Sequence, residues 1–243
     1  RIYKSELRQI RETTAKDGEL VWFSDEMQDI VRLAMRVART DAAVLINGPS
    51  GIGKRKFADL MFRYSKRSRK RLFRVRFGSM PETDLITELF GPGNAATSRR
   101  DTGLLSRVDG GTLILENIDQ MSQPIQERLA SWLRNEQARL RRDGPDVRFV
   151  STCQKDPGQM VAQGRFREDL YYRLCVAELK VPPLQGRAAD ITGLAQHFLE
   201  GFNEKHGFQK FFERAAINRL ARWPWPGNVR ELRAFVERLA VME

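Results

Sequence analysis

Val44-Leu-Ile-Asn-Gly-Pro-Ser-Gly-Ile-Gly-Lys-Arg55 is the stretch whose reading decides the fold. Val44 to Ile46 are aliphatic and read as a short buried strand. Gly48, Gly51 and Gly53, with Pro49, Ser50 and Ile52 between them, permit a tight loop whose backbone N–H groups turn inward around an anion. Lys54 follows at the spacing G-x-x-x-x-G-K, where its ammonium reaches the outer phosphates of a nucleotide. From Lys56 the pattern turns helical, with Phe57, Leu60, Met61 and Tyr64 on one face, so a helix N-terminus points at the same anion. Strand, glycine loop and helix in that order predict a phosphate-binding loop. One position departs from it. The hydroxyl that normally completes the motif and ligates Mg²⁺ is Arg55.

Outward from this loop the elements alternate. Upstream, residues 1–20 are polar and helix-compatible and read as a linker helix from a preceding domain. Ser24 is a plausible cap for a helix through Met27, Ile30, Val31, Ala34 and Val37. Downstream, Lys66 to Lys70 break the helix with a basic run, and the basic residues that crowd Arg63 to Arg76 are readable as a nucleic-acid patch or a solvated helix end. Strands are expected at 72–77, 112–115, 147–152 and 176–181, and helices at 81–90 and 124–137. Glu116-Asn117 closes the third strand, where a metal-coordinating carboxylate belongs beside such a loop. After Pro182-Pro183 the chain is helical, at 191–202, 212–223 and 229–241. An α/β domain with a helical appendix results.

The composition sets limits. The 243 residues are 41% hydrophobic and 30% charged, as in soluble globular proteins. No apolar run approaches the roughly 20 residues of a membrane span, so no membrane partner is expected. Cys153 and Cys175 have neither disulfide-framework nor zinc-ligand spacing, which suits a reducing cytoplasm. A net charge of +11 points to polyanionic company or to an arginine-rich solvated surface. His197 and His206 read as surface or helix-packing residues, Trp223 and Trp225 as core anchors around Pro224, and Cys153 as packing at a strand end.

Several longer runs carry a resemblance: Glu88-Leu-Phe-Gly91, Gly110-Gly-Thr-Leu-Ile-Leu115, Gly164-Arg-Phe-Arg-Glu-Asp-Leu-Tyr-Tyr-Arg-Leu174, Val181-Pro-Pro-Leu184 and Trp225-Pro-Gly-Asn-Val-Arg-Glu-Leu232. In this order they resemble the central AAA+ domain of bacterial enhancer-binding proteins, the NtrC/FleQ/TyrR-like activators that work with sigma-54. The resemblance implies an α/β fold: a P-loop, three-layer αβα AAA+ domain with a mainly parallel sheet at 21–182, and a helical lid at 183–243. It implies ATP or ADP as ligand, bound by Gly48 to Arg55. Arg230 matches the lid's sensor II arginine, and Arg167 and Arg173 match the arginine fingers that reach a nucleotide on a neighbouring subunit. A dimer or ring oligomer, RNA polymerase holoenzyme, and DNA through a helix-turn-helix beyond this stretch are the implied partners.

The departures from the family pattern are equally specific. Besides Arg55, the Walker B Asp-Glu pair is Glu116-Asn117, and an amide cannot accept a proton from water. The asparagine that restrains the family's catalytic Glu matches Arg76, and the sensor I Asn matches Gln154. Pro92-Gly-Asn-Ala-Ala-Thr-Ser98 stands where a Gly-Ala-Phe-Thr-Gly-Ala loop would touch sigma-54, and Trp22 replaces a glycine of the adenine-side turn. These changes predict nucleotide binding with little or no hydrolysis, a doubtful Mg²⁺ with Glu116 as its one candidate ligand, and action with the housekeeping polymerase. Two alternatives stay open: an ATPase in which Glu116 serves for both Walker B carboxylates, and a cyclic di-GMP-responsive domain. Arg173 and Arg230 could also simply pair with Glu168 and Glu231.

Overall fold

The computed structural model describes residues 20–92, 103–139 and 146–242. The linker helix expected at 1–20 and the segment expected to replace the sigma-contact loop lie, except for Leu20 and Pro92, outside the described residues. The described chain forms two compact units. One holds residues 34–47 and 58–179; the other holds 20–33, 48–57 and 180–242.

The first unit carries the sheet. Its strands are β1 (Val44–Asn47), β2 (Leu72–Arg76), β3 (Thr112–Glu116), β4 (Arg148–Cys153) and β5 (Ala177–Lys180), in the order β2-β3-β4-β1-β5. The β2–β3, β3–β4 and β4–β1 pairs are parallel, so these four strands end at one edge. Every residue of β3 and β4 is buried, as a parallel sheet covered on both faces requires. Leu85, Leu89, Leu105, Ile125, Leu129 and Leu170 pack with these strands in one core. They come from helices α3 (Glu82–Phe90), α4 (Leu104–Arg107), α5 (Gln123–Arg139) and α7 (Glu168–Leu174). A short helix α6 (Pro157–Ala162) starts at Asp156, whose carboxylate accepts the Gly158 N–H at 2.8 Å.

The basic run at 66–70 divides. Lys66, Arg69 and Lys70 are exposed, but Arg67 turns inward and is neither nucleic-acid patch nor solvated helix end. Its Nε donates to Asp41 at 2.7 Å, its Nη1 to the carbonyls of Gly111 and Asp146 at 3.1 Å, and its Nη2 to the Asp146 carboxylate at 2.9 Å. A buried guanidinium with this many acceptors ties three loops at one end of the sheet.

In the second unit, α1 (Asp25–Ala38) begins at Ser24, whose hydroxyl accepts the Met27 N–H at 3.3 Å. Asp190, near the start of α8 (Ala188–His206), is fully buried. It accepts the Phe23 N–H at 2.5 Å, the Ser24 N–H at 3.0 Å, the Ser24 hydroxyl, and Arg187 Nε at 2.8 Å. Burial alone would raise its pKa, but the Ser24 hydroxyl, Arg187 and the Phe23 N–H together hold the carboxyl below its ordinary value. Helices α9 (Arg214–Arg222) and α10 (Asn228–Met242) complete the lid with α8. Trp225 is 2% exposed and donates from Nε1 to the Leu220 carbonyl at 2.9 Å, as a core anchor should. Trp223 is 57% exposed and is no core anchor; its Nε1 donates to Glu231 Oε1 at 3.4 Å. His206 packs on Phe202 with ring centroids 4.4 Å apart. Among the described residues no helix is long and apolar enough to cross a membrane.

Arg67→Met should lower stability in urea unfolding by about 2–4 kcal/mol, because it removes the charge-assisted hydrogen bonds that tie Asp41, Gly111 and Asp146 together. Lys66→Met should stay within about 0.5 kcal/mol.

Candidate functional site

The glycine loop leaves the C-terminal end of β1 and feeds α2 (Lys54–Arg63). Gly51 and Gly53 adopt φ of +78° and +99°, a left-handed backbone open to glycine at little cost. A Cβ on Gly51 would lie 2.2 Å from the Gly227 carbonyl oxygen, so this glycine is fixed by packing as well as by conformation. Lys54 is buried, and its ammonium donates to the carbonyls of Gly48 at 2.6 Å and Pro49 at 2.9 Å. Arg55, the next residue of α2, is exposed.

Asn228 braces this loop, a role that sequence reading missed. It is buried at φ 54°, donates from Nδ2 to the Ser50 carbonyl at 2.9 Å, and accepts the Leu184 N–H at 2.8 Å. The Arg230 N–H donates to the Gly51 carbonyl at 3.1 Å, and Arg230 Nη1 lies 3.4 Å from Ser50 Oγ. Arg230 therefore stands at the glycine loop. Glu231 instead accepts the Gly227 N–H at 2.6 Å. The Gly-Asn-Val-Arg run was the available signal for Asn228, but only its arginine carried a recognisable chemistry.

Glu116, Asn117 and Gln154 come together at the strand-end edge of the sheet. Glu116 is the last residue of β3 and lies in register with Arg76, the last of β2. Arg76 Nε donates to Glu116 Oε2 at 3.0 Å. Asn117 is left-handed (φ 60°), and its N–H donates to Thr152 Oγ1 at 3.1 Å. The Gln154 N–H donates to Asp119 Oδ1 at 3.2 Å. Hard divalent cations need several oxygen ligands with charge to spare. Glu116 is engaged by an arginine, the glycine-loop hydroxyl is absent, and among the described residues no group of three or more His, Cys, Asp or Glu side chains could hold a metal.

Arg167 lies at the start of α7 and Arg173 in its last turn. Arg167 clamps Asp169 through Nε at 3.0 Å and Nη2 at 3.1 Å, and Arg134 reaches the same carboxylate at 2.6 Å. The hydrogen bond from Arg167 is the main reason the Asp169 carboxyl sits below its ordinary pKa. Arg173 Nη1 donates to the Leu133 carbonyl at 3.1 Å, a backbone partner and not Glu168.

Two family models match in succession: the Sigma-54 interaction domain over residues 20–180 and the AAA+ ATPase lid domain over residues 185–243. NtrC of Rhizobium meliloti is 39% identical over 240 residues, which are 95% of this chain and 49% of that protein. AlgB of Pseudomonas aeruginosa is 38% identical over 227 residues, 90% of this chain and 51% of that protein. The chain thus spans about half the length of these curated relatives. The crystal structure of NtrX from Brucella abortus in complex with ADP is 31% identical, with a TM-score of 0.82, covering 99% of this chain and 56% of that one. The complex of the same protein with ATP gives the same values. RuvB of Thermotoga maritima, at 15% identity and a TM-score of 0.63, shares the fold.

Asn228→Ala should destabilise the chain by about 1–3 kcal/mol in chemical denaturation, since it leaves the buried Leu184 N–H unpaired. Arg230→Ala, at an exposed position, should change stability by less than about 0.5 kcal/mol.

Proposed function

This chain belongs to the sigma-54 interaction domain family and carries that family's AAA+ lid, and we propose that it binds ATP or ADP and hydrolyses it slowly or not at all. In this reading it is the nucleotide-responsive core of a bacterial transcription regulator. Gly48 to Lys54 hold the phosphates through backbone N–H groups and the lysine ammonium. Arg55 supplies a guanidinium near the metal position, which repels a divalent ion and can meet phosphate oxygens directly. Arg230 flanks the loop from the lid.

One observation carries the loss of turnover. At the end of β3 the single carboxylate, Glu116, is held by Arg76, and the next side chain is the amide of Asn117. Neither is placed to take a proton from an attacking water, and general-base catalysis contributes about 10²–10⁴-fold. The occurrence of a relative, NtrX, with ADP and with ATP supports the ligand class. Self-association is part of the proposal: Arg167 and Arg173 would leave Asp169 and the Leu133 carbonyl to serve a neighbouring subunit. Pro92-Gly-Asn-Ala-Ala-Thr-Ser98 offers no counterpart to the Phe and Thr of a Gly-Ala-Phe-Thr-Gly-Ala loop, which favours the housekeeping polymerase as partner. Sequence-specific DNA contact belongs to parts of the protein outside this stretch.

Titration calorimetry with ATP and with ADP, each in Mg²⁺ and in EDTA, tests the reading. It predicts binding of both nucleotides with affinities that differ by less than about threefold between the two conditions. Binding that requires Mg²⁺ would favour the ATPase alternative, and no binding of either nucleotide would make the loop a relic.

A further inference from the structure

Strands β1 to β4 run parallel, so the loops that precede them lie along one edge of the sheet unit, the edge away from Glu116. Arg67 sits in the loop before β2 and bonds to Asp41, Gly111 and Asp146 in the loops before β1, β3 and β4. Backbone bonds fasten the same loops. The Thr112 N–H donates to the Arg71 carbonyl at 2.9 Å, the Gly110 N–H to the Asp146 carbonyl at 2.8 Å, and the Arg148 N–H to the Gly111 carbonyl at 3.1 Å. Lys66, Arg69, Lys70, Arg71 and Arg107 stand exposed on this edge. Arg71 Nη1 donates to the Arg107 carbonyl at 2.8 Å, and the Arg107 guanidinium lies 5.2 Å over the Phe73 ring. The acids there are already engaged. Asp41 and Asp146 pair with Arg67, and Asp109 accepts the Asp146 N–H at 2.8 Å. Among the described residues the side chains of Lys66, Arg69 and Lys70 have no ion-pair partner.

We propose that this edge is a docking surface for the phosphate backbone of duplex DNA, bound without regard to base sequence. It is a contact of a different kind from the sequence-specific one placed outside this stretch, and it is independent of nucleotide binding. Cations suffice for such a contact, because each phosphate they neutralise releases condensed counterions. A protein partner would need more. Protein interfaces draw their energy from a desolvated apolar centre, and none of the large exposed apolar side chains among the described residues lies in these loops. The buried bonds of Arg67 hold the loops in place before the polyanion arrives, so little backbone ordering opposes binding. Arg67 is thereby a positioning residue, and the exposed lysines and arginines make the contact.

The test is fluorescence anisotropy of a labelled random-sequence DNA duplex, titrated with this chain over a series of NaCl concentrations. Near physiological salt the wild-type chain should bind with Kd of roughly 10⁻⁴–10⁻⁶ M, and log K should fall linearly with log salt. Arg69→Gln/Lys70→Gln should weaken binding by about tenfold in low salt and flatten that slope by about one to two. Lys155→Gln/Arg165→Gln removes the same charge from exposed positions; Lys155 lies just beyond the other end of β4, and Arg165 follows α6. The six residues of β4 span about 20 Å, beyond the screening length of about 10 Å at 0.1 M salt, so this variant should lose less than about threefold. Thermal melts check folding, and Lys66→Gln alone, which should flatten the slope by about one, carries the comparison if the double variant unfolds. Equal losses for the two double variants, or no binding of the duplex in low salt, would overturn the inference. Poly-glutamate bound as tightly as the duplex would overturn it too, and would assign the edge to an acidic protein.

Discussion

Burying the Glu116 carboxylate at the end of β3 costs free energy unless a cation and hydrogen bonds meet it, and the chain supplies that cation from its own second strand. Parallel pairing makes the match unavoidable once register is set. Leu72 sits opposite Thr112, and four residues later Arg76 sits opposite Glu116. The carboxylate at this strand end is therefore paired with a cation from the neighbouring strand. Asn117 follows Glu116 and Arg55 follows Lys54, the two substitutions on which the proposed loss of hydrolysis rests. The glycine loop keeps its positive-φ glycines and its lysine. The proposed function rests on this separation of holding a phosphate from cleaving one.

The second unit reaches the same end through hydrogen bonds. Asn228 ties the Ser50 carbonyl and the Leu184 N–H, and Asp190 ties the Phe23 and Ser24 amides to Arg187. Both side chains are buried, and the bonds from the Leu184 N–H and from Arg187 Nε are made away from competing water. These contacts join the glycine loop, the start of α1 and the lid within one cooperative unit. A nucleotide on the loop would be felt at Arg230 and Asn228 through them.

Much of the fold was legible because its strands are short runs of Val, Ile, Leu and Phe between turn residues. Those at 44–47 and 112–116 fell within one residue of expectation. The long lid helices were legible by period and ran further than expected at both ends of α8. Helices α4, α6 and α7 span 4, 6 and 7 residues and are too short for periodicity to register, although Asp156-Pro157 is a cap signature. The inward turn of Arg67 was hidden because its carboxylates are 26 and 79 residues away in sequence. Trp223 and Trp225 look alike in sequence, but only Trp225 turns its ring into the core. The glycine loop, Glu116, Asn117 and Arg76 could be named from spacing and resemblance. The Arg76–Glu116 bond, which gives those substitutions their chemical meaning, needed the strand register.

Phosphate release at saturating ATP with Mg²⁺, set beside a Lys54→Ala control, probes the separation of binding from cleavage most directly. Ordinary enzymes turn over at about 1–10³ s⁻¹, and loss of the general base alone removes about two to four orders of magnitude. A wild-type rate below about 0.01 s⁻¹, with ATP shown to be bound, is the expected result. A rate near 1 s⁻¹ that Lys54→Ala abolishes would contradict the account and assign Glu116 a catalytic role despite its arginine.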